Sequence, residues 1–191
     1  MKRIGITGGI GSGKSIISEV LTCMGIPTYN ADNASKQLIS TRKELIIALK
    51  KTLGSDIYVN GILDKKRMAQ LIFNDKELLA KVNRIIHPAV MEDFRTWSEV
   101  QKAPIVACET AILFESGMDQ LMDACITVTA PIEIRTERCI RRDNASEEQI
   151  RARMNNQMSE EERIKRADHI ITNDGKEAII PQIREIIKAL S

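Results

Sequence analysis

Apolar residues fall along this chain in two rhythms. Short, nearly unbroken runs occupy residues 3–7, 26–29, 105–108, 124–129 and 169–172, and each stops close to a glycine, a proline or a polar residue. Runs of this length and purity predict buried strands. Elsewhere apolar positions recur every three or four residues, as on one face of a helix. Ile16, Val20 and Met24 recur in this way over residues 15–24, and Gly25 supplies a stop. The chain therefore opens strand, loop, helix, strand, the start of a βαβ unit.

From residue 35 to 102 the helical rhythm is continuous. Thr41-x-x-Glu44 reads as a capping box ahead of Leu45, Ile46, Leu49 and Leu53. Asp64 and Asp75 each stand where they can cap a helix. The first carries Met68, Leu71 and Ile72, the second Leu78, Leu79, Val82, Ile85 and Ile86. His87-Pro88 is expected to end that run, the proline starting a new helix. Strands resume afterwards, so residues 35–102 read as a helical insertion. Pro131 then opens a helix with Ile134, Arg138 and Arg142. Ser146-x-x-Gln149 and Ser159-x-x-Glu162 cap two helices rich in charge and poor in large apolar groups, which pack weakly and are free to move. Ile179, Ile180, Ile183, Ile186 and Ile187 line a last helix. Alternating strands and helices predict a parallel sheet covered on both faces.

Composition narrows the function. With 191 residues, 43% hydrophobic and 28% charged, the chain has the profile of a folded domain with a modest insertion. Its 28 basic and 26 acidic residues leave a net charge of +2, and aromatics are 3%, so long polyanions and unpaired bases are not expected partners. No membrane span or signal peptide is expected. The cysteines, Cys23, Cys108, Cys125 and Cys139, form no C-x-x-C pair, and His87 and His169 add no metal-ligand spacing. Cys108 and Cys125 read as buried small hydrophobes. A reducing cytoplasm is the expected home, with the protein a monomer or weak homo-oligomer.

Gly8-Gly9-Ile10-Gly11-Ser12-Gly13-Lys14-Ser15 matches the P-loop pattern in full, with a predicted strand before it and a helix after. Glycines let the backbone aim N–H groups at phosphate, and the helix presents its positive end. Lys14 can bridge the β- and γ-oxygens, and the Ser15 hydroxyl can hold Mg²⁺. The loop itself leaves open whether the γ-phosphoryl goes to water or to another molecule. Asp32 ends the second strand, where it either takes a proton from an acceptor hydroxyl or caps the next helix. Arg138, Arg141 and Arg142 cluster beside the polar helices, where they either neutralise a transferring phosphoryl from a lid or complement a helix end. Glu109 either reaches Mg²⁺ through water or is a strand-end charge.

These elements occur in a telling order. GITGGIGSGKS is followed by Gly25-Ile26-Pro27-x-x-Asn30-Ala31-Asp32, then Ile86-His87-Pro88, then Ala111-Ile112-Leu113-Phe114-Glu115-Ser116, then Arg138-x-x-x-Arg142-Asp143. In this combination the chain resembles the dephospho-coenzyme A kinases from residue 2 to about 175. The resemblance implies transfer of the ATP γ-phosphoryl to the ribose 3′-hydroxyl of dephospho-coenzyme A, with Mg²⁺, the last step of coenzyme A biosynthesis. It implies an α/β P-loop NTPase fold of three α/β/α layers around a parallel five-stranded sheet, with a helical acceptor-binding insertion and a lid. The core would be residues 1–34, 103–142 and 168–191, the acceptor region 35–102, and the lid 143–167.

Carried over residue by residue, Asp32, Lys14, Arg138 and Arg142 match the catalytic positions. Gly9, Gly11, Ser12, Gly13, Lys14, Ser15, Ile16 and Asn173 match the nucleotide-binding ones. Ser15 is the metal ligand, and Asp32 and His87 face the acceptor; His87 can equally fix the helix start before Pro88. Residues 170–175 resemble the segment beside adenine. Two departures stand out: Ile16 where threonine is common, and Glu109-Thr110-Ala111 where Asp-x-Pro is common. Glutamate reaches about one methylene further than aspartate, which makes a direct metal contact less natural. A kinase of this fold acting on another small acceptor shares the same core. A GTP-driven switch would need Asn-Lys-x-Asp, which does not occur.

Overall fold

A computed structural model describes residues 1–73 and 75–190, so residues 74 and 191 of the expected domain ranges lie outside the described residues. The chain forms two compact units, one made of Met1–Asn30 with Val100–Ser191, the other of Ala31–Glu99.

The first unit is built on five parallel strands: β1 (Lys2–Thr7), β2 (Thr28–Asn30), β5 (Ile105–Glu109), β6 (Ala124–Thr129) and β7 (His169–Thr172). Their order in the sheet is β2-β5-β1-β6-β7. β1 is central, with Ile4 opposite Ala107 on one side and Ala124 on the other. Alternate residues serve opposite faces, as a pleated strand requires. Ile4, Ile6, Ile105, Ala107, Ile126, Val128 and Ile171 pack with Ile17 and Leu21 of α1 (Lys14–Cys23) and Ile183 and Ile186 of α9 (Ile179–Leu190). On the other face Gly5 leaves room for Leu113, whose Cδ2 would lie 2.7 Å from a β-carbon there.

The helix of residues 15–24 is present, but it buries a different stripe from the one expected. Ile17 and Leu21 are sealed in the core, whereas Ile16 and Met24 are exposed. Both stripes have helical spacing, and only the direction in which α1 meets the sheet chooses between them. Its end is as expected. Gly25 takes φ +83°, and its N–H and that of Ile26 bond back to Thr22 and Leu21. This is a Schellman stop, with Ile26 and Leu21 as its apolar contact.

The unit also holds α6 (Ile132–Asp143), α7 (Glu147–Asn155) and α8 (Glu160–Arg166). Ser146 and Gln149 form the expected capping box, and Ser159 accepts from the N–H of Glu162.

The second unit contains α2 (Ala31–Thr41), α3 (Lys43–Leu53), a hairpin of β3 (Tyr58–Val59) and β4 (Ile62–Leu63), α4 (Lys65–Phe73) and α5 (Lys76–Glu99). Helix α5 packs against α2, α3 and α4, and buries Val82, Ile86, Val90 and Phe94. Asp64 and Asp75 cap α4 and α5, accepting from the N–H groups of Arg67 and Leu78 at 2.9 and 2.8 Å.

Three expectations fail here. Thr41 does not cap: it is the last residue of α2, its hydroxyl bonds back to Gln37, and Arg42 precedes α3 without a side-chain cap. His87-Pro88 does not break the run, since α5 passes straight through Pro88. A proline forfeits the bond to the carbonyl four residues back, but here Pro88 and Arg84 are both exposed and water can serve that carbonyl. The β3–β4 hairpin lies inside a stretch that reads as helical. Its turn is Asn60-Gly61 with φ of 51° and 80°, the signature of a two-residue hairpin.

Cys108, Cys125 and Cys139 are buried and Cys23 is exposed. Burial and the charge of Asp168 push the Cys125 thiol up to about 12. Iodoacetamide at neutral pH should therefore label Cys23 rapidly in the native protein, and all four cysteines once it is unfolded. Mass spectrometry of the labelled peptides reads this directly, and rapid native labelling of Cys125 would contradict it.

Candidate active site

The site forms where β1 leaves the sheet. The chain turns through Gly8 to Gly13 and enters α1 at Lys14, with Gly13 as the N-cap residue at φ +94°. That conformation strains any other residue, and a β-carbon on Gly13 would also lie 2.1 Å from Asn173 Nδ2.

Three loop carbonyls are each held by a side chain. Lys14 Nζ donates to Gly8 O at 2.8 Å, Arg135 Nε to Ile10 O at 3.0 Å, and Asn173 Nδ2 to Ser12 O at 2.8 Å. Peptide groups pinned by their oxygens turn their N–H groups the other way, which is how a loop becomes a concave anion site. Asn173 is itself fixed, because its own N–H bonds to Thr129 O at the end of β6. Ser12 Oγ is buried in the loop without a hydrogen-bond partner among the described residues.

Arg138 sits over the same loop with long contacts, 3.4 Å to Gly11 O, 3.5 Å to Ser12 O and 3.5 Å to Asn173 Oδ1. Bonds this long are weak, so an incoming anion can draw the guanidinium away cheaply. Arg142 is not brought to the loop. It is mostly exposed and paired with Asp143 at 2.7 Å, which holds the Asp143 carboxyl below its usual range. Ser15 and Ile16 lie exposed in the first turn of α1. Glu109 is buried at the end of β5, where its Oε2 accepts from Asn30 Nδ2 at 3.1 Å. This bond ties the β2 end, two residues before Asp32, to the neighbouring strand.

Asp32 and His87 belong to the second unit. Asp32 is exposed in the first turn of α2, one place past the helix start and not at a cap. A carboxylate there still gains from the helix dipole. His87 is half-buried within α5, and burial lowers its pKa from the ordinary value.

Three residues at the loop escaped sequence reasoning: Arg135, Gln157 and Arg163. Arg135 is 5% exposed and bridges Ile10 O and Glu160, the latter at 2.8 Å. Its position three residues before Arg138, on the same helix face, was a usable signal. Gln157 Oε1 accepts from the Ile10 N–H at 2.9 Å. Arg163 is 2% exposed and donates to Met158 O, and burial, then the charge of Arg135, lowers its pKa. Nothing local marks an arginine in a polar helix as a buried one. The α7–α8 connection and α8 are thus pinned by hydrogen bonds: Met158 N–H also donates to Glu115 Oε1 at 3.3 Å, and Arg166 pairs with Asp119 at 3.2 Å.

A family profile described as dephospho-CoA kinase matches residues 2–178. The dephospho-CoA kinase of Bacteroides fragilis is 45% identical over 189 residues, 98% of this chain and 92% of that protein. A solved structure from Thermus thermophilus superposes with a TM-score of 0.84 at 32% identity, over 99% of this chain and 95% of the other. The dephospho-CoA kinase from Campylobacter jejuni superposes with a TM-score of 0.65 at 25% identity, over 98% and 94%.

The lowered pKa of His87 has a consequence for stability. The unfolded chain binds this proton more readily than the folded one, so stability falls as pH drops below the ordinary value of 6.5 and levels off below the folded pKa. Thermal melts at about pH 7 and about pH 5 should show a smaller loss of Tm in His87→Gln than in the parent. Equal losses in both would rule His87 out as the source.

Proposed function

The chain belongs to the dephospho-CoA kinase family, and from that premise we propose how its residues divide the reaction. The protein is an ATP-dependent kinase that phosphorylates dephospho-CoA, the final step of coenzyme A biosynthesis. The acceptor atom is assigned as the ribose 3′-hydroxyl, with coenzyme A and ADP as products. The observation that carries the reading is the convergence of Lys14, Arg138 and Asn173 on the loop between β1 and α1.

In this scheme the loop and first helical turn, Gly9, Gly11, Ser12, Gly13, Lys14, Ser15 and Ile16, receive the phosphates, aided by the positive end of α1. Lys14 exchanges the Gly8 carbonyl for phosphate oxygens. Arg138, loosely held, follows the charge that builds as the phosphoryl group transfers. Arg142 would trade its pair with Asp143 for the same charge. Asn173 acts through the loop by fixing Ser12. Residues 143–167 are assigned as the lid, residues 35–102, with His87, as the acceptor region, and the remainder as the core.

Asp32 is the assigned base. It is exposed in the first turn of α2, two residues after Asn30, and its role is to orient the acceptor hydroxyl and take its proton. Mg²⁺ fits the donors present. The described residues hold no cluster of three acidic, histidine or cysteine ligands, and this ion needs only one or two protein ligands beside water and phosphates. Ser15, exposed at the start of α1, would hold it, and it would neutralise charge on the β- and γ-oxygens.

Asp32→Asn should leave ATP affinity nearly unchanged and lower kcat by about two orders of magnitude, the usual worth of positioned acid–base help. Coupled assays of ADP release with dephospho-CoA, adenosine and AMP as acceptors test chemistry and substrate together. Full turnover in the variant would remove Asp32 from the base role, and equal rates with all three acceptors would overturn the acceptor assignment.

A further inference from the structure

The loop limb at Gly9 and Ile10 has a roof that the roles above do not use. A β-carbon on Gly9 would stand 2.0 Å from Arg135 Nη2 and 3.0 Å from Arg163 Nη2, so two guanidinium groups lie against the bare backbone. They are unequally satisfied. Arg135 has Ile10 O and the Glu160 carboxylate, whereas Arg163 has the Met158 carbonyl and, among the described residues, no carboxylate oxygen within 4.0 Å. Glu115 and Glu160 act on it only from a distance. Burying a guanidinium beside a second one, without an ion pair of its own, is costly. An anion arriving at the loop would offset that cost.

A neutral donor points the same way. Gln157 Oε1 accepts the Ile10 N–H, which fixes the amide orientation, and its Nε2 finds no acceptor among the described residues. Both side chains come from one stretch, the α7–α8 connection and the first turn of α8.

We infer that Arg163, assisted by Gln157, recognises the terminal phosphoryl group and makes the site prefer a nucleoside triphosphate over a diphosphate. The inference rests on the reading that this loop holds ATP. The helix-proximal part of a P-loop, here Gly13 to Ser15, takes the inner phosphates. The opposite limb, Gly9 and Ile10 under Arg135 and Arg163, is left for the outermost one. Lys14 and Arg138 already bind loop carbonyls, whereas Arg163, with one carbonyl acceptor and no carboxylate, keeps donors to spare beside the far limb.

Calorimetric titration of the full chain with ATP and with ADP, Mg²⁺ present throughout, tests this on the parent and on Arg163→Met. The variant should bind ATP about ten- to a hundredfold more weakly, the worth of one charge-assisted hydrogen bond, with ADP affinity unchanged within about threefold. Equal weakening of both nucleotides, or of neither, would overturn the inference. Should Arg163→Met fail to fold, Arg163→Lys carries the comparison. It keeps the charge without the planar fork, and the expected result is partial loss of the preference for ATP at unchanged ADP affinity. A parent protein that binds neither nucleotide would refute the underlying reading as well, and ADP binding without a preference for ATP in the parent would refute the inference alone.

Discussion

Gly9 lies against the buried guanidinium of Arg135, whose Nη2 would stand 2.0 Å from a β-carbon there and would have to move to admit one. That close approach is the constraint on which the shape of the loop between β1 and α1 depends. Arg135 reaches the loop from the buried face of α6, where it replaces the apolar residue a helix ordinarily turns inward. Its Nε takes the Ile10 carbonyl and its Nη1 takes Glu160, so a single buried guanidinium ties the loop to the start of α8. With Lys14 and Asn173 holding Gly8 and Ser12, alternate carbonyls of the loop are pinned before any ligand arrives. A loop held in this way has little conformational entropy left to lose on binding a ligand.

The sheet explains why the loop lies where it does. β1 is paired on both sides, by β5 and by β6, so it cannot slide and its last residue is fixed in space. The connection through α1 carries the chain past β5 to β2 at one edge, while β6 and β7 extend the sheet the other way. Such a reversal opens a crevice beyond the carboxyl ends of the central strands, where open α/β sheets place ligands. Glu109 and the loop itself issue from carboxyl ends of β5 and β1, and Asn173 from that of the edge strand β7.

Much of this could be read in the sequence. The five parallel strands, the stops at Gly25 and the caps at Asp64, Asp75, Ser146 and Ser159 are local matters, decided by runs, spacing and hydrogen bonds within a few residues. The failures have local causes too. Asn60-Gly61 is a strong hairpin signal, but two-residue strands are too short to interrupt a helical rhythm visibly. Pro88 is ordinarily a break, yet on the exposed side of a long helix the lost bond can be made to water.

The P-loop pattern is encoded within eight consecutive residues, and with the motifs that follow it the sequence alone determined the family to which the chain belongs. Tertiary structure decided which stripe of α1 is buried, since Ile16 and Ile17 are equally apolar and only the docking of the helix separates them. It also decided which arginines serve the loop. Arg142 has the better motif and turns to Asp143, while Arg135, marked only by its spacing from Arg138, and Arg163, with no local mark, are buried against Gly9. Charge is a property of a residue, but burial of a charge is a property of everything packed around it, and that is settled only when distant segments meet.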